Sequence, residues 1–173
     1  MAFDYDDERY PLVAAAVVVG LLGLWVYLDD DSWLPILDGA NLVFHEAGHK
    51  IYGVLGDTLG LYGGTLGQLS FPAIGFGLFL YRKQFGSAAI CLAWAGQNLF
   101  NIARYMADAR AQELPLVGGN EHDWYNIFMR WGVLMKDERI AAQTRTVGGL
   151  LFVAALGIIA YAWCHRTVAA PAA

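Results

Sequence analysis

The sequence predicts an all-α membrane protein, a bundle of about five transmembrane helices with one further amphipathic helix at the interface. Three observations predict it. Of the 173 residues, 57% are hydrophobic and only 16% charged, too apolar a balance for an ordinary soluble domain. The apolar residues are gathered into runs of about 20, the length that crosses a bilayer as a helix. Polar residues within those runs recur at three-to-four-residue spacing, so that they share one helix face. A net charge of −5 without a dense basic cluster excludes nucleic acid as a partner. Cys91 and Cys164 stand in apolar runs without CxxC spacing, as packing residues and not as a disulfide or a zinc ribbon.

The first helix is expected at 11–28, a stretch of eighteen residues without a charge. The segment before it carries Asp4, Asp6, Asp7 and Glu8 against a single Arg9, acidic where a secretory signal is basic. No small-x-small cleavage site follows it, only Asp29, Asp30 and Asp31, so the helix is expected to stay as an anchor. The second, 34–55, fails on hydropathy because it holds Asp38, His45, Glu46, His49 and Lys50. Its other residues are apolar or small, as in a helix packed closely among neighbours with its polar groups turned inward. The third, 58–81, is uncharged but interrupted by glycines and Pro72, so it either spans or dips in and returns.

The fourth helix is expected at 84–107 and the fifth at 146–165, closing a single membrane domain over residues 1–173. Between them Trp124, Ile127, Phe128, Trp131 and Met135 give an interfacial helix at 121–136 one apolar face; it anchors the long connection or covers the site. With the N-terminus inside, Arg9, Lys50, Arg104, Arg110, Arg130, Lys136, Arg139 and Arg145 gather on the inner side, against Arg82, Lys83 and Arg166 opposite. By the positive-inside rule the N-terminus is expected to be cytoplasmic, in a bacterial-type cytoplasmic membrane.

His45-Glu46-Ala47-Gly48-His49 fits H-E-x-x-H, in which two imidazoles four residues apart project from one helix face and hold one zinc ion. Glu46 is left free to act as general base. Ionisable groups among apolar residues imply a compensating interaction, and a divalent cation is the simplest. The stripe Asp38, Asn41, His45, His49 and Tyr52 keeps helical spacing, which favours a buried site over a helix that merely surfaces at the interface.

A catalytic zinc takes three protein ligands and a water. His122 is the first choice for the third ligand, with Asp108 and Asp123 the alternatives; His165, beside Arg166, is expected to reach the interface. Around His122, Gly118 and Gly119 feed a helix with Asn120 as its expected N-cap, which makes Asp123 a capping partner at the third helical position or a group that orients an imidazole. On the fourth helix Trp94, Gln97, Asn98, Asn101, Arg104, Tyr105 and Asp108 form a second polar stripe. Gln97, Asn98 and Asn101 either join helices or hold a substrate backbone.

These residues resemble the site-2 protease group of intramembrane zinc metalloproteases, whose active-site helix carries HExGH, matched by HEAGH at 45–49. That group supplies its third ligand as an aspartate in a later N-P-D-G-type segment, which this chain lacks, and there is no room for a PDZ domain. The chain as a whole is similar to bacterial membrane proteins that combine HEAGH, the WAGQN to ADAR stretch at 94–110 and the GGNEHDW stretch, a likeness that carries no established function. The resemblance implies a zinc-dependent intramembrane peptidase acting on membrane-embedded protein substrates. The competing expectation is a non-catalytic subunit or assembly factor of a larger complex, its helices fixed by metal or ion pairs. Metal or proton passage along the polar stripe is less favoured, because no mirrored half-repeat is visible.

Overall fold

The computed structural model describes residues 9–29, 33–118 and 121–168. It is all-helical: α1 (Tyr10–Leu28), α2 (Pro35–Gly53), α3 (Asp57–Tyr81), α4 (Phe85–Ala107), α5 (Asp123–Trp131), a short 3-10 turn (Leu134–Lys136) and α6 (Asp137–Val168). Pro35 opens α2 where a missing N–H costs nothing, and Asp38 closes the cap by accepting from the Leu34 amide at 2.6 Å. Pro72 is buried inside α3 without breaking it, so α3 is one continuous helix. Two elements differ from expectation. The helix expected at 121–136 stops at Trp131, because Gly132 takes a left-handed C-cap with φ +67°. The helix expected from 146 begins at Asp137: its charged first turns fail on hydropathy, yet Asp137 and Glu138 suit a helix N-terminus.

Helix α4 is the axis of the bundle. At one end its Gly86 lies against the Pro11 carbonyl of α1, Phe85 meets Tyr161 of α6 and the Arg9 guanidinium lies over Trp163. At the other end Arg110 pairs with Asp137 at 2.7 Å and the Thr144 hydroxyl lies 3.3 Å from the Met106 sulfur. Midway the backbones of Gly96 and Gly148 touch. So α1 runs parallel to α4 and α6 runs against both. Helix α3 also runs against α4, with Gly75 on Cys91 and Leu61 and Tyr62 beside the cluster of Ile102 and Met106.

That topology corrects the expectation for the second helix. Since α1 delivers the chain to the end of α4 where α3 begins, the stretch between α1 and α3 starts and finishes at that end. Asp38 of α2 meets Gln97, halfway along α4, and the last turn of α2 places Gly53 against Gly60 at the start of α3. Helix α2 therefore runs only from mid-bundle back to that end, and among the described residues four helices run the bundle's full length: α1, α3, α4 and α6. The count of basic residues by side changes with it. Arg9, Arg82 and Lys83 lie at the N-terminal end, opposite Lys50, Arg104, Arg110, Arg130, Lys136, Arg139 and Arg145.

Packing is by small residues. Ala15, Ala89, Ala93 and Ala155 are fully buried where α1, α4 and α6 meet, while Val17, Leu21, Ile74, Leu150 and Val153 point outward. This inversion suits an apolar solvent, in which close backbone approach holds helices together. Among the described residues two helices, Tyr10–Leu28 and Leu134–His165, are long and apolar enough to cross a membrane, with mean hydropathies of 2.3 and 2.1. Helix α5 is docked through Trp124, Ile127 and Phe128 against Ile102, Met106 and Ala141, leaving Met129, Trp131 and Met135 outside. The apolar face read as interfacial is thus partly a core face, and that docking places α5 over α2.

Candidate metal centre

The site begins with a glycine seam between α2 and α3. A Cβ at Gly48, Gly63 or Gly67 would overlap the backbone of the opposite helix, so the two backbones touch. Only at this separation can His49, on α2, donate from Nδ1 to the Gly60 carbonyl on α3 at 2.8 Å. One turn earlier His45 lies over Gly64, where a methyl group would collide with the ring, and its Nδ1 faces the Gln68 amide oxygen at 2.9 Å.

The two rings therefore turn their Nε2 atoms the same way, with centroids 4.8 Å apart. Asp123, the first residue of α5, meets them there: its Oδ2 lies 2.9 Å from His45 Nε2 and 3.1 Å from His49 Nε2. A carbonyl only accepts, so the Nδ1 of His49 carries a proton, and when the ring is neutral its Nε2 presents a lone pair. The carboxylate also presents lone pairs. Three such atoms within 4.8 Å of one another call for a cation among them, a proton or a metal ion. Tetrahedral zinc, with bonds of about 2.0 to 2.2 Å, sets its ligand atoms roughly 3.3 Å apart, so these side chains fit zinc once the carboxylate moves out slightly and the two imidazoles draw together. Burial pushes the Asp123 carboxyl up, but hydrogen bonds donated by His45 and His49, when their Nε2 atoms are protonated, outweigh burial and bring it down to about 2. Asp123 is thus an anion in that hydrogen-bonded state, and a metal ligand must likewise be deprotonated.

Glu46 projects into the same cavity of about 1110 Å³ as His45, His49 and Asp123, where Asn101, Tyr105 and residues 114–118 form part of the wall. Its carboxylate rests on Gly118, whose φ of +83° and lack of a side chain admit the contact. Glu46 and the two imidazoles thus open on one space.

Of the residues singled out in the sequence, the structure brings together His45, Glu46, His49 and Asp123. His122 is set apart. It is the N-cap of α5, its Nδ1 accepting from the Tyr125 amide at 3.2 Å, while its Nε2 lies 3.3 Å from Asp108 and its ring stacks on Tyr105 at 4.1 Å. Burial holds its pKa below the ordinary histidine value, against the pull of Asp108. Because His122 caps the helix, Asp123 stands at its first position, not its third; Asn120 lies outside the described residues. Asp108 accepts from the amides of Glu113 and Leu114 at 2.9 and 3.2 Å and so ties down the loop beyond α4.

Gln97 and Asn98 are wholly buried in a closed network. Gln97 donates to Asp38 at 2.6 Å and accepts from Asn41 at 2.9 Å; Trp94 and Asn98 donate to Asn41 at 2.8 and 3.4 Å. They join α2 to α4 and leave only Asn101 of that trio on the cavity wall. Sequence reasoning missed Gln68, Gly60, Gly64 and the part played by Tyr105. The lone buried amide among the glycines of α3 was the available signal.

Comparison of the chain with models of protein families, with characterised proteins and with solved structures gave no match.

Proposed function

We propose that the protein is a membrane-embedded zinc metallopeptidase, its ion held by His45, His49 and Asp123 and its general base Glu46. The observation that carries this reading is the convergence of His45 Nε2, His49 Nε2 and Asp123 Oδ2 on one point beside a free glutamate, in a cavity large enough for a peptide stretch. An aspartate from a later segment is also the ligand type that the site-2 protease resemblance implies. When bound, zinc supplies Lewis acidity, acidifying water toward neutral pH and polarising a carbonyl. Glu46 accepts the proton of the attacking water and returns it to the departing amine. Gln68 and the Gly60 carbonyl hold the imidazoles so that Nε2 faces the ion, and Asn101 is placed to bond a substrate backbone.

The bundle is read as lying in a bilayer with four crossings, α1, α3, α4 and α6, and α2 running from mid-bundle out to the basic end. By the positive-inside rule that end is cytoplasmic, which puts the N-terminus on the far side. The substrate is a membrane-anchored protein. In the purified protein, Glu46→Gln is expected to keep about one zinc per chain and abolish cleavage, whereas His45→Ala loses both. Equal cleavage by wild type and Glu46→Gln ends the peptidase reading.

A second reading has its own observation. Distances of 2.9 and 3.1 Å are those of hydrogen-bonded ion pairs, so a proton shared between His49 and Asp123 could close the cluster and simply clamp α5 onto α2. The protein would then be a structural subunit of a larger membrane complex. It would purify without metal, and Glu46→Gln would be silent.

A further inference from the structure

Several landmarks fix how deep the site lies. The apolar run of α1 ends at Leu28, with Asp29 next, about a turn and a half beyond Gly23, which packs on Phe152. Phe152 in turn meets Phe100 and Gly96 of α4, so α1 becomes charged at the level of the last turns of α4. Helix α4 turns charged there too, at Arg104, which lies 6.0 Å from the Trp33 ring. On α6, Arg145 follows Thr144, the neighbour of Met106, and α3 begins at Asp57. Exposed Tyr27, Trp33 and Trp131 lie around this level, as aromatic side chains do at a membrane boundary.

The metal ligands lie in that same layer. Tyr105, next to Arg104, is 6.2 Å from the His45 ring and accepts from the Asp123 amide at 3.2 Å, while His49 reaches Gly60, one turn into α3. Deeper, toward the middle of α4, the cavity ends on Asp38, behind which Asn41 and Gln97 close a buried hydrogen-bonded network.

Resting on the peptidase reading, we infer that the substrates are cut at the boundary on the basic side, in extended juxtamembrane segments of single-span proteins, and not within their spans. A bond at mid-span would lie about half a bilayer, roughly 15 Å, from the ligands. The cavity wall formed by Leu114, Pro115, Leu116 and Val117 offers apolar surface at the depth where such a segment leaves the bilayer.

The test uses the full chain with zinc in liposomes. The probes are synthetic single-span peptides carrying one and the same flexible cleavable stretch at the centre of the span, at its basic-side edge or at its opposite edge. Cleavage at the basic-side edge should exceed cleavage at the centre at least about tenfold, by mass spectrometry of the fragments. Equal or faster cutting at the centre overturns the inference. A second readout is independent of activity: Cu2+ bound in place of zinc should be relaxed more by a membrane-impermeant nickel chelate than by oxygen, and the reverse order also overturns it. If the copper lies at the boundary while every peptide stays intact, the peptidase reading fails and the substrate class falls with it, the depth of the site alone being upheld.

Discussion

The backbone amide of Asp123 donates to the Tyr105 hydroxyl at 3.2 Å, which fastens the first residue of α5 to the last turn of α4. That bond sets where the Asp123 carboxylate stands over the two imidazoles. Tyr105→Phe keeps the ring stacked on His122 and removes only the acceptor. Zinc affinity, measured by competition with a chelating dye, is expected to fall about tenfold, the usual effect of losing a group that orients a ligand, with the melting temperature of the metal-free protein little changed. An unchanged affinity would show that Asp123 is held by its helix alone.

His122 gives a sharper division between ligand and cap. The ring nitrogen that caps α5 can be replaced by the amide oxygen of asparagine, one of the preferred capping groups, but not by alanine. His122→Asn should therefore keep zinc and most of the stability. His122→Ala should lose about 1 kcal/mol from the cap alone, and more from the space left beside Tyr105. Loss of zinc in the asparagine variant would instead make His122 a ligand.

How far the sequence reached can be seen in these same residues. H-E-x-x-H placed His45, Glu46 and His49 because ligand spacing on a helix is a local property. Asp123 was visible only as one of three alternatives: its selection over His122 depends on which residue begins α5, and a shift of one position turns a side chain by about 100°. All-helical architecture followed from apolar runs of the right length. The direction of α2 did not, since hydropathy treats a helix that crosses and one that runs only from mid-bundle alike. Only the contacts of Gly86, Gly53 and Gly60 establish which ends lie together.

Gly64 carries the site as firmly as a ligand does. A Cβ there would run into the His45 ring, backed by Gln68 and Asp123, so the ring cannot move aside without losing its partners. Gly64→Ala is expected to abolish zinc binding and to destabilise the bundle by about 1 to 3 kcal/mol through overpacking. Gly20, in α1, has open space where its Cβ would stand, so Gly20→Ala should leave zinc binding intact and stabilise slightly. Thermal melts with metal titration of both variants decide it. Zinc retained in Gly64→Ala would mean that α2 and α3 can separate more easily than their glycine seam implies.

Acid should loosen the basic end of the α4–α6 contact, where Arg110 meets Asp137. Asp137 is buried at the start of α6, and burial pushes its carboxyl up, but the hydrogen bond from Arg110 at 2.7 Å and its charge outweigh this and hold the group below the ordinary aspartate value of 3.8. A group whose folded-state pKa is depressed stabilises the fold above its unfolded value and loses that contribution as the pH falls toward its folded value. In thermal melts of the protein in detergent, the contribution of this pair should therefore be constant from neutral pH to about pH 5 and fall below about pH 4, a second acid limb beneath the one that starts below 6.5, where protonation of buried His122 begins to cost stability. Arg110→Gln removes the partner, lowering the melting temperature at neutral pH and flattening the part of the acid dependence that belongs to this pair. An acid limb of the same depth in Arg110→Gln would assign it to other carboxylates, Asp123 first among them, since metal release would follow its protonation.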